Sequence, residues 1–218
     1  MEETKSRRQT TFLTSESRLK QEYQLIKAHA PLGVYIVPHP TDLRSMHGVL
    51  FVRQGEYKNG VFRFRIELPE IYPAAYPNIS FITSVYHPLV HPETGDLSLK
   101  PRFPQWNPEN CFVFRALEYL KRIFYFQDHW SHHDSIQNFE AFEAHMQDHE
   151  GLFQAKVDEC VLKSQASLYE GPQDFMIRFT HFSTVHQKLL DALKFKDKET
   201  TEEQQCEAFM RWFKTQFL

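Results

Sequence analysis

A chain of 218 residues with 41% hydrophobic side chains can bury one sizeable core, or a core with a small helical extension. A net charge of −3 and a pI near 6.5 argue against nucleic acid or an anionic membrane as the main partner. No apolar run approaches the roughly 18 to 20 residues that span a bilayer, and the start lacks the apolar stretch of a cleaved leader.

Residues 1 to 14 are polar, with a short basic patch at Lys5-Ser6-Arg7-Arg8, and read as a loose tail. Thr14 to Ser17 offer helix caps, and Leu19, Tyr23 and Ile26 define one apolar face of a helix running to about Ala28, stopped by Pro31. Four strands follow, at 33–38, 46–53, 61–68 and 78–83. The third alternates almost strictly, with Phe62, Phe64, Ile66 and Leu68 on one face and Val61, Arg63, Arg65 and Glu67 on the other, the pattern of a half-buried antiparallel strand. Asn59-Gly60 before it is a hairpin signal. From Ile71 to Pro108 seven prolines make the chain irregular but rigid, a natural place for a site.

A second helix is predicted over about 110–126, on the spacing of Phe114, Leu117, Leu120, Lys121 and Phe124. After a loop at 129–134, Asn138 caps a third helix to about Asp148, and a fourth runs from about His149 to Tyr169. Residues 171–182 form a connector, followed by amphipathic helices at about 183–196 and 201–217, the last opened by a capping-box pattern at Thr200–Glu203. The fold class is α+β with segregated elements: an N-terminal helix, a four-stranded antiparallel meander, then helices. The domain reading is a tail over 1–14, one domain over 15–170, and a connector with helical extension over 171–218.

Three cysteines, Cys111, Cys160 and Cys206, are odd in number and widely spaced, which points to free thiols in a reducing compartment and a cytoplasmic address. His145 and His149 have i, i+4 spacing, with His132-His133 nearby. They lack the Glu of His-Glu-x-x-His and a clustered Cys, so they read as polar surface with no metal and no cofactor.

Two segments carry a specific pattern. One is Pro69-Glu70-Ile71-Tyr72-Pro73-Ala74-Ala75-Tyr76-Pro77. The other is Tyr86-His87-Pro88-Leu89, followed by Gly95-Asp96-Leu97-Ser98-Leu99 and by Trp106-Asn107-Pro108, with Trp106 eight residues after Ser98. In this order they resemble the ubiquitin-conjugating enzymes over roughly residues 16–170. The resemblance implies that fold and places Ser98 where the family carries its catalytic Cys. A hydroxyl needs an adjacent base where a thiol supplies thiolate directly, and no residue has an obvious claim as that base. Leu89 stands where the family has the Asn of His-Pro-Asn, and Leu cannot donate to an oxyanion. The resemblance therefore implies a retired site, no enzyme, with Ser98 a small polar surface residue. His87 reads as a structural hydrogen-bonding residue, and Cys111 as a buried or half-buried thiol at a helix start that cannot stand in for the nucleophile. Tyr76–Pro77 is expected to be cis.

Within that family the details resemble the fused-toes subfamily of Akt-interacting and crossbronx proteins: Leu32-Gly33-Val34-Tyr35, Gly55-x-Tyr57-x-x-Gly60-Val61-Phe62, His87-Pro88-Leu89-Val90, Phe103-x-x-Trp106, Phe153-x-x-Lys156-Val157 and Leu168-Tyr169. The resemblance implies a non-catalytic adaptor in a complex with a Hook-like coiled-coil protein and a Hook-interacting protein, which links vesicles to microtubule motors. An Akt-type kinase is a further implied partner, with no nucleic acid, no integral membrane association, and peripheral vesicle binding only through partners. The alternative is a variant that binds ubiquitin, or partners an active conjugating enzyme in chain formation. In the last helix Phe209, Met210, Phe213 and Phe217 line one face with Cys206, and Trp212 lies beside it. That face either packs on its own domain or anchors a coiled-coil partner.

Overall fold

A computed structural model of the chain describes residues 15–126, 133–147, 151–170, 172 and 174–194. The expected N-terminal tail, the last helix with its aromatic face, and the pair His132 and His149 lie outside the described residues. The chain divides into two compact units, Met1–Arg178 and Phe179–Leu218.

The first unit opens with helix α1 (Ser15–His29), followed by strands β1 (Val34–Pro38), β2 (Ser45–Phe51), β3 (Val61–Glu67) and β4 (Asn78–Phe81). The strands form one antiparallel sheet in chain order. Helices α2 (Val113–Arg122), α3 (Phe139–Met146) and α4 (Leu152–Ala166) complete it. Each expected strand is present, and each of these helices lies within its predicted span or a residue of it.

Register explains the core. Met46 pairs with Ile66, Gly48 with Phe64 and Leu50 with Phe62, so apart from Gly48 one face presents large apolar side chains, all of them fully buried. Gly48 is there for space: a Cβ would come within 2.2 Å of the Phe64 ring. Behind this face Tyr57, Phe62, Phe81 and Phe124 pack ring to ring, with Phe62 and Phe124 stacked at 5.1 Å. The Asn59-Gly60 signal marks the close of a longer loop. Asn59 takes φ 70, and its N–H donates to the Val52 carbonyl at 2.8 Å.

Alternation along β3 predicts an outer face in water, and here the structure differs. Arg63 is 4% exposed and His47, opposite Arg65, 2%. The chain after α4 folds back over this face. Arg63 donates to the carbonyls of Ser167 and Leu168, Arg65 pairs with Asp174 at 2.9 Å, and Phe175 stacks on His47 at 4.7 Å. The Met176 N–H donates to His47 Nδ1 at 3.0 Å. Residues 174–176 thus belong with the sheet, and the first unit runs past the boundary expected at residue 170.

Helix α2 is shorter than its predicted span for a local reason. Cys111 N–H closes a turn on Asn107, Phe112 is extended, and the first helical N–H, that of Val113, is taken by the Glu22 carboxylate at 2.9 Å. At its other end, bonds from Phe124 to Lys121 and from Tyr125 to Arg122 tighten the final turn. Asn138 caps α3, its side-chain oxygen accepting from Ala141 N–H at 3.0 Å. Gly151, with φ 69, is the N-cap of helix α4.

The second unit contains helix α5 (Thr184–Lys194), within the predicted 183–196. The Ser183 carbonyl accepts from Gln187 N–H, and Ser183 N–H donates to His186 Nδ1 at 3.0 Å.

Candidate functional site

The proline-rich stretch delivers three sequence-selected residues to one place. Leu89 and Ser98 are joined directly: Ser98 N–H donates to the Leu89 carbonyl at 2.9 Å. Leu89 N–H in turn donates to His87 Nδ1 at 3.0 Å. Residues 95–99 are threaded between β4 and this strip, with Phe81 N–H bonding the Gly95 carbonyl and Leu97 N–H that of Ile79. Gly95 is required by both conformation and space: φ is 74, and a Cβ would meet the Phe81 carbonyl oxygen at 2.1 Å.

Ser98 is not the surface residue expected. It is 8% exposed, its carbonyl accepts from Tyr119 OH at 3.1 Å, and its Oγ has no hydrogen-bond partner among the described residues. An open cleft of about 290 Å³ adjoins it, lined in part by Tyr76, Asp96, Lys100 and Gln137. Leu89 is fully buried and belongs to the core.

His87 is sealed. It is fully buried among Tyr57 and Phe124, its Nδ1 accepts from Leu89, and its Nε2 pairs with the Ile123 carbonyl at 3.1 Å. Burial pushes its pKa down to about 3. The ring is neutral, with both nitrogens engaged by backbone. That is the structural role expected from the sequence.

An aromatic wall stands beside the strip. Trp106 lies 5.4 Å from Phe103 and 5.7 Å from Tyr76, and Tyr76 OH donates to the Phe103 carbonyl at 2.9 Å. Tyr76–Pro77, expected to be cis, is not. The cis bond is Tyr72–Pro73, one turn earlier, where the tyrosine is the buried one: Tyr72 is 3% exposed and its hydroxyl reaches Glu22. Cys111 is buried, as expected, and its Sγ accepts from Asn107 N–H at 3.4 Å.

Residues that the sequence reading passed over hold this site. Glu22 is fully buried on α1, where Arg18, Tyr72 and Val113 N–H converge on its carboxylate, and Arg18 also donates to the Cys111 carbonyl at 2.8 Å. The i, i+4 spacing of Arg18 and Glu22 was visible, but it reads as a solvated pair. Of the histidines weighed for metal, His145 packs its ring 4.9 Å from Phe153. Among the described residues no group of three or more His, Cys, Asp or Glu is placed to hold a metal ion.

The fold and strip define the class. The family model for the ubiquitin-conjugating enzyme matches residues 18–161, and the chain belongs to that family. Within it, the chain is 33% identical over 192 residues to a protein crossbronx homolog of Anopheles gambiae, covering 85% of this chain and 83% of that one. It is 31% identical over 193 residues to protein crossbronx of Drosophila virilis, covering 84% and 78%. Likeness to the AKT-interacting protein of Pongo abelii is 31% over 193 residues, or 86% of this chain and 64% of that protein. The expected subfamily is therefore the one found.

Proposed function

We propose that the chain is a non-catalytic adaptor that uses the conjugating fold as a binding scaffold. The observation that carries this is the Leu89–Ser98 pair. The position expected to hold the nucleophile has a buried hydroxyl without a partner among the described residues. The position expected to hold the supporting amide has a core leucine, and His87 beside it is neutral and fully engaged. Thioester exchange has neither a thiolate nor an oxyanion donor in such a strip.

The adaptor works as a subunit of a complex with a Hook-like coiled-coil protein and a Hook-interacting protein, linking vesicles or endosomes to microtubule motors. Support for a protein-binding role comes from the relatives' names, one of which describes interaction with AKT. Association with vesicles runs through partners; among the described residues no helix is long and apolar enough to cross a membrane. The aromatic face of Phe209, Met210, Trp212, Phe213 and Phe217 is the proposed anchor for the coiled-coil partner.

Affinity purification of the tagged full chain from its own cells, beside a version lacking Glu202–Leu218, tests both parts. Recovery of a Hook-like coiled-coil protein and a Hook-interacting protein, lost on truncation, is the expected result. Recovery instead of ubiquitin or an active conjugating enzyme, with no coiled-coil partner, would replace the adaptor reading with one in ubiquitin chain formation.

A further inference from the structure

A groove of about 1010 Å³ is lined by the end of β2, by α2 and by the turn at Leu32. Its lining is charged in one sense. Arg53, Arg102, Arg115, Lys121 and Arg122 face it, against the single carboxylate of Glu118. This is a concentration of positive charge in a chain of net charge −3. Among the described residues, Arg53, Arg102 and Arg115 form no ion pair with a carboxylate, and all three are exposed.

Apolar groups are interleaved with the cations. Leu32 is 88% exposed and Phe126 55%, Arg122 lies 4.8 Å over the Phe126 ring, and Lys121 lies 5.7 Å over that of Tyr125. Lys121 is also tied to the Leu32 carbonyl at 2.7 Å, which fixes the groove's corner. Arg115 and Arg122 are two turns apart on α2, about 10.5 Å along the axis.

We infer that this groove seats an acidic segment of a partner protein, one that combines carboxylates with large apolar side chains. Guanidinium groups take carboxylates in two parallel hydrogen bonds, and the exposed rim gives leucine or phenylalanine a place to leave water. The charge balance selects against longer polyanions. A nucleic acid extends beyond one groove and would meet a surface whose net charge repels it. A membrane headgroup layer meets protruding surface, whereas these cations line a recess. The inference rests on the adaptor reading, for which it supplies a second contact surface with a stated chemistry.

The test starts by selecting displayed random peptides on the full chain. The selected peptides are then labelled with fluorescein, and their binding is measured by anisotropy to the native chain, to an Arg102→Glu/Arg115→Glu double variant and to Lys58→Glu. Lys58 is exposed on the β2–β3 loop outside the groove. The expected result is a consensus rich in Asp or Glu with Leu or Phe. Binding should weaken at least tenfold in the double variant and stay unchanged in Lys58→Glu, with all three chains melting at the same temperature. A neutral or basic consensus, or acidic peptides that bind the double variant as well as the native chain, overturns the inference. So does tighter binding of phosphatidylserine vesicles or an oligonucleotide that the acidic peptides fail to displace. Purification from cells separates this from the adaptor reading. Equal partner recovery by native chain and double variant sinks the groove alone, whereas no partner recovered by either sinks the adaptor reading.

Discussion

Three donors converge on the Glu22 carboxylate, which has no exposure to solvent. Breaking a buried charged pair leaves the other charge without compensation and costs about 3 to 5 kcal/mol. Glu22→Gln is therefore expected to lower the unfolding free energy by about 3 kcal/mol, read from urea midpoints, because Arg18 stays buried. His87 gives a second residue-level test. Its folded pKa is about 3, against about 6.5 in an unfolded chain. Above pH 6.5 both states are neutral and its contribution is complete. Below 6.5 the unfolded chain takes up the proton and the folded chain does not, so about 1.4 kcal/mol is lost per pH unit. Urea midpoints at pH 7.5, 6 and 5 should fall more steeply for the native chain than for His87→Gln; equal slopes would place the acid sensitivity elsewhere. At Ser98 the expectation concerns chemistry. Ser98→Cys introduces a thiol but leaves Leu89 in the core, so incubation with activating enzyme, ATP and ubiquitin should give no reductant-sensitive adduct. An adduct would count against the proposed non-catalytic reading.

The middle strands show how far an element can depart from its own pattern. β3 alternates as a half-solvated strand should, yet Arg63 and, on β2, His47 are covered, because Phe175 and its neighbours fold over the sheet's outer face. Phe175 is 1% exposed. Truncating a buried phenylalanine to alanine costs about 3 to 5 kcal/mol where the site cannot collapse. Phe175→Ala should fall within that range. It should also raise the hydrogen exchange of the Met176 amide, which bonds His47. Burial and the neighbouring Arg65 hold the His47 pKa below its ordinary value, and its Nδ1 accepts from Met176 N–H. Protonation would oppose that contact.

At the scale of the molecule, the division between Arg178 and Phe179 makes residues 174–176 part of the domain that carries the Ser98 strip. A chain ended after Arg178 is expected to keep the contacts of Phe175 with His47 and of Asp174 with Arg65, whereas one ended at residue 170 loses them. The shorter chain should melt several degrees lower, since about 1 kcal/mol corresponds to a few degrees in a domain of this size. Equal melting temperatures would show that the covering segment adds nothing to the sheet. The same scale holds the electrostatic pattern: a negative net charge overall, with cations gathered beside α2.

The sequence by itself determined what is local. Period-two alternation placed β3, the spacing of Leu117 and Leu120 placed α2, Asn138 announced its own cap, and the order of Tyr86-His87-Pro88, Gly95–Leu99 and Trp106 revealed the family. These signals survive because each depends on neighbours a few residues away. Tertiary structure alone decided which charged residues leave water. Arg18, Glu22, His47 and Arg63 carry polar side chains that every local rule assigns to the surface, and they are buried because elements far along the chain supply their partners. It also decided that arginines 53, 102 and 115, dispersed along a mildly acidic chain, line one groove. Electrostatic potential depends on distances through space, and those are set only when the sheet and α2 have packed.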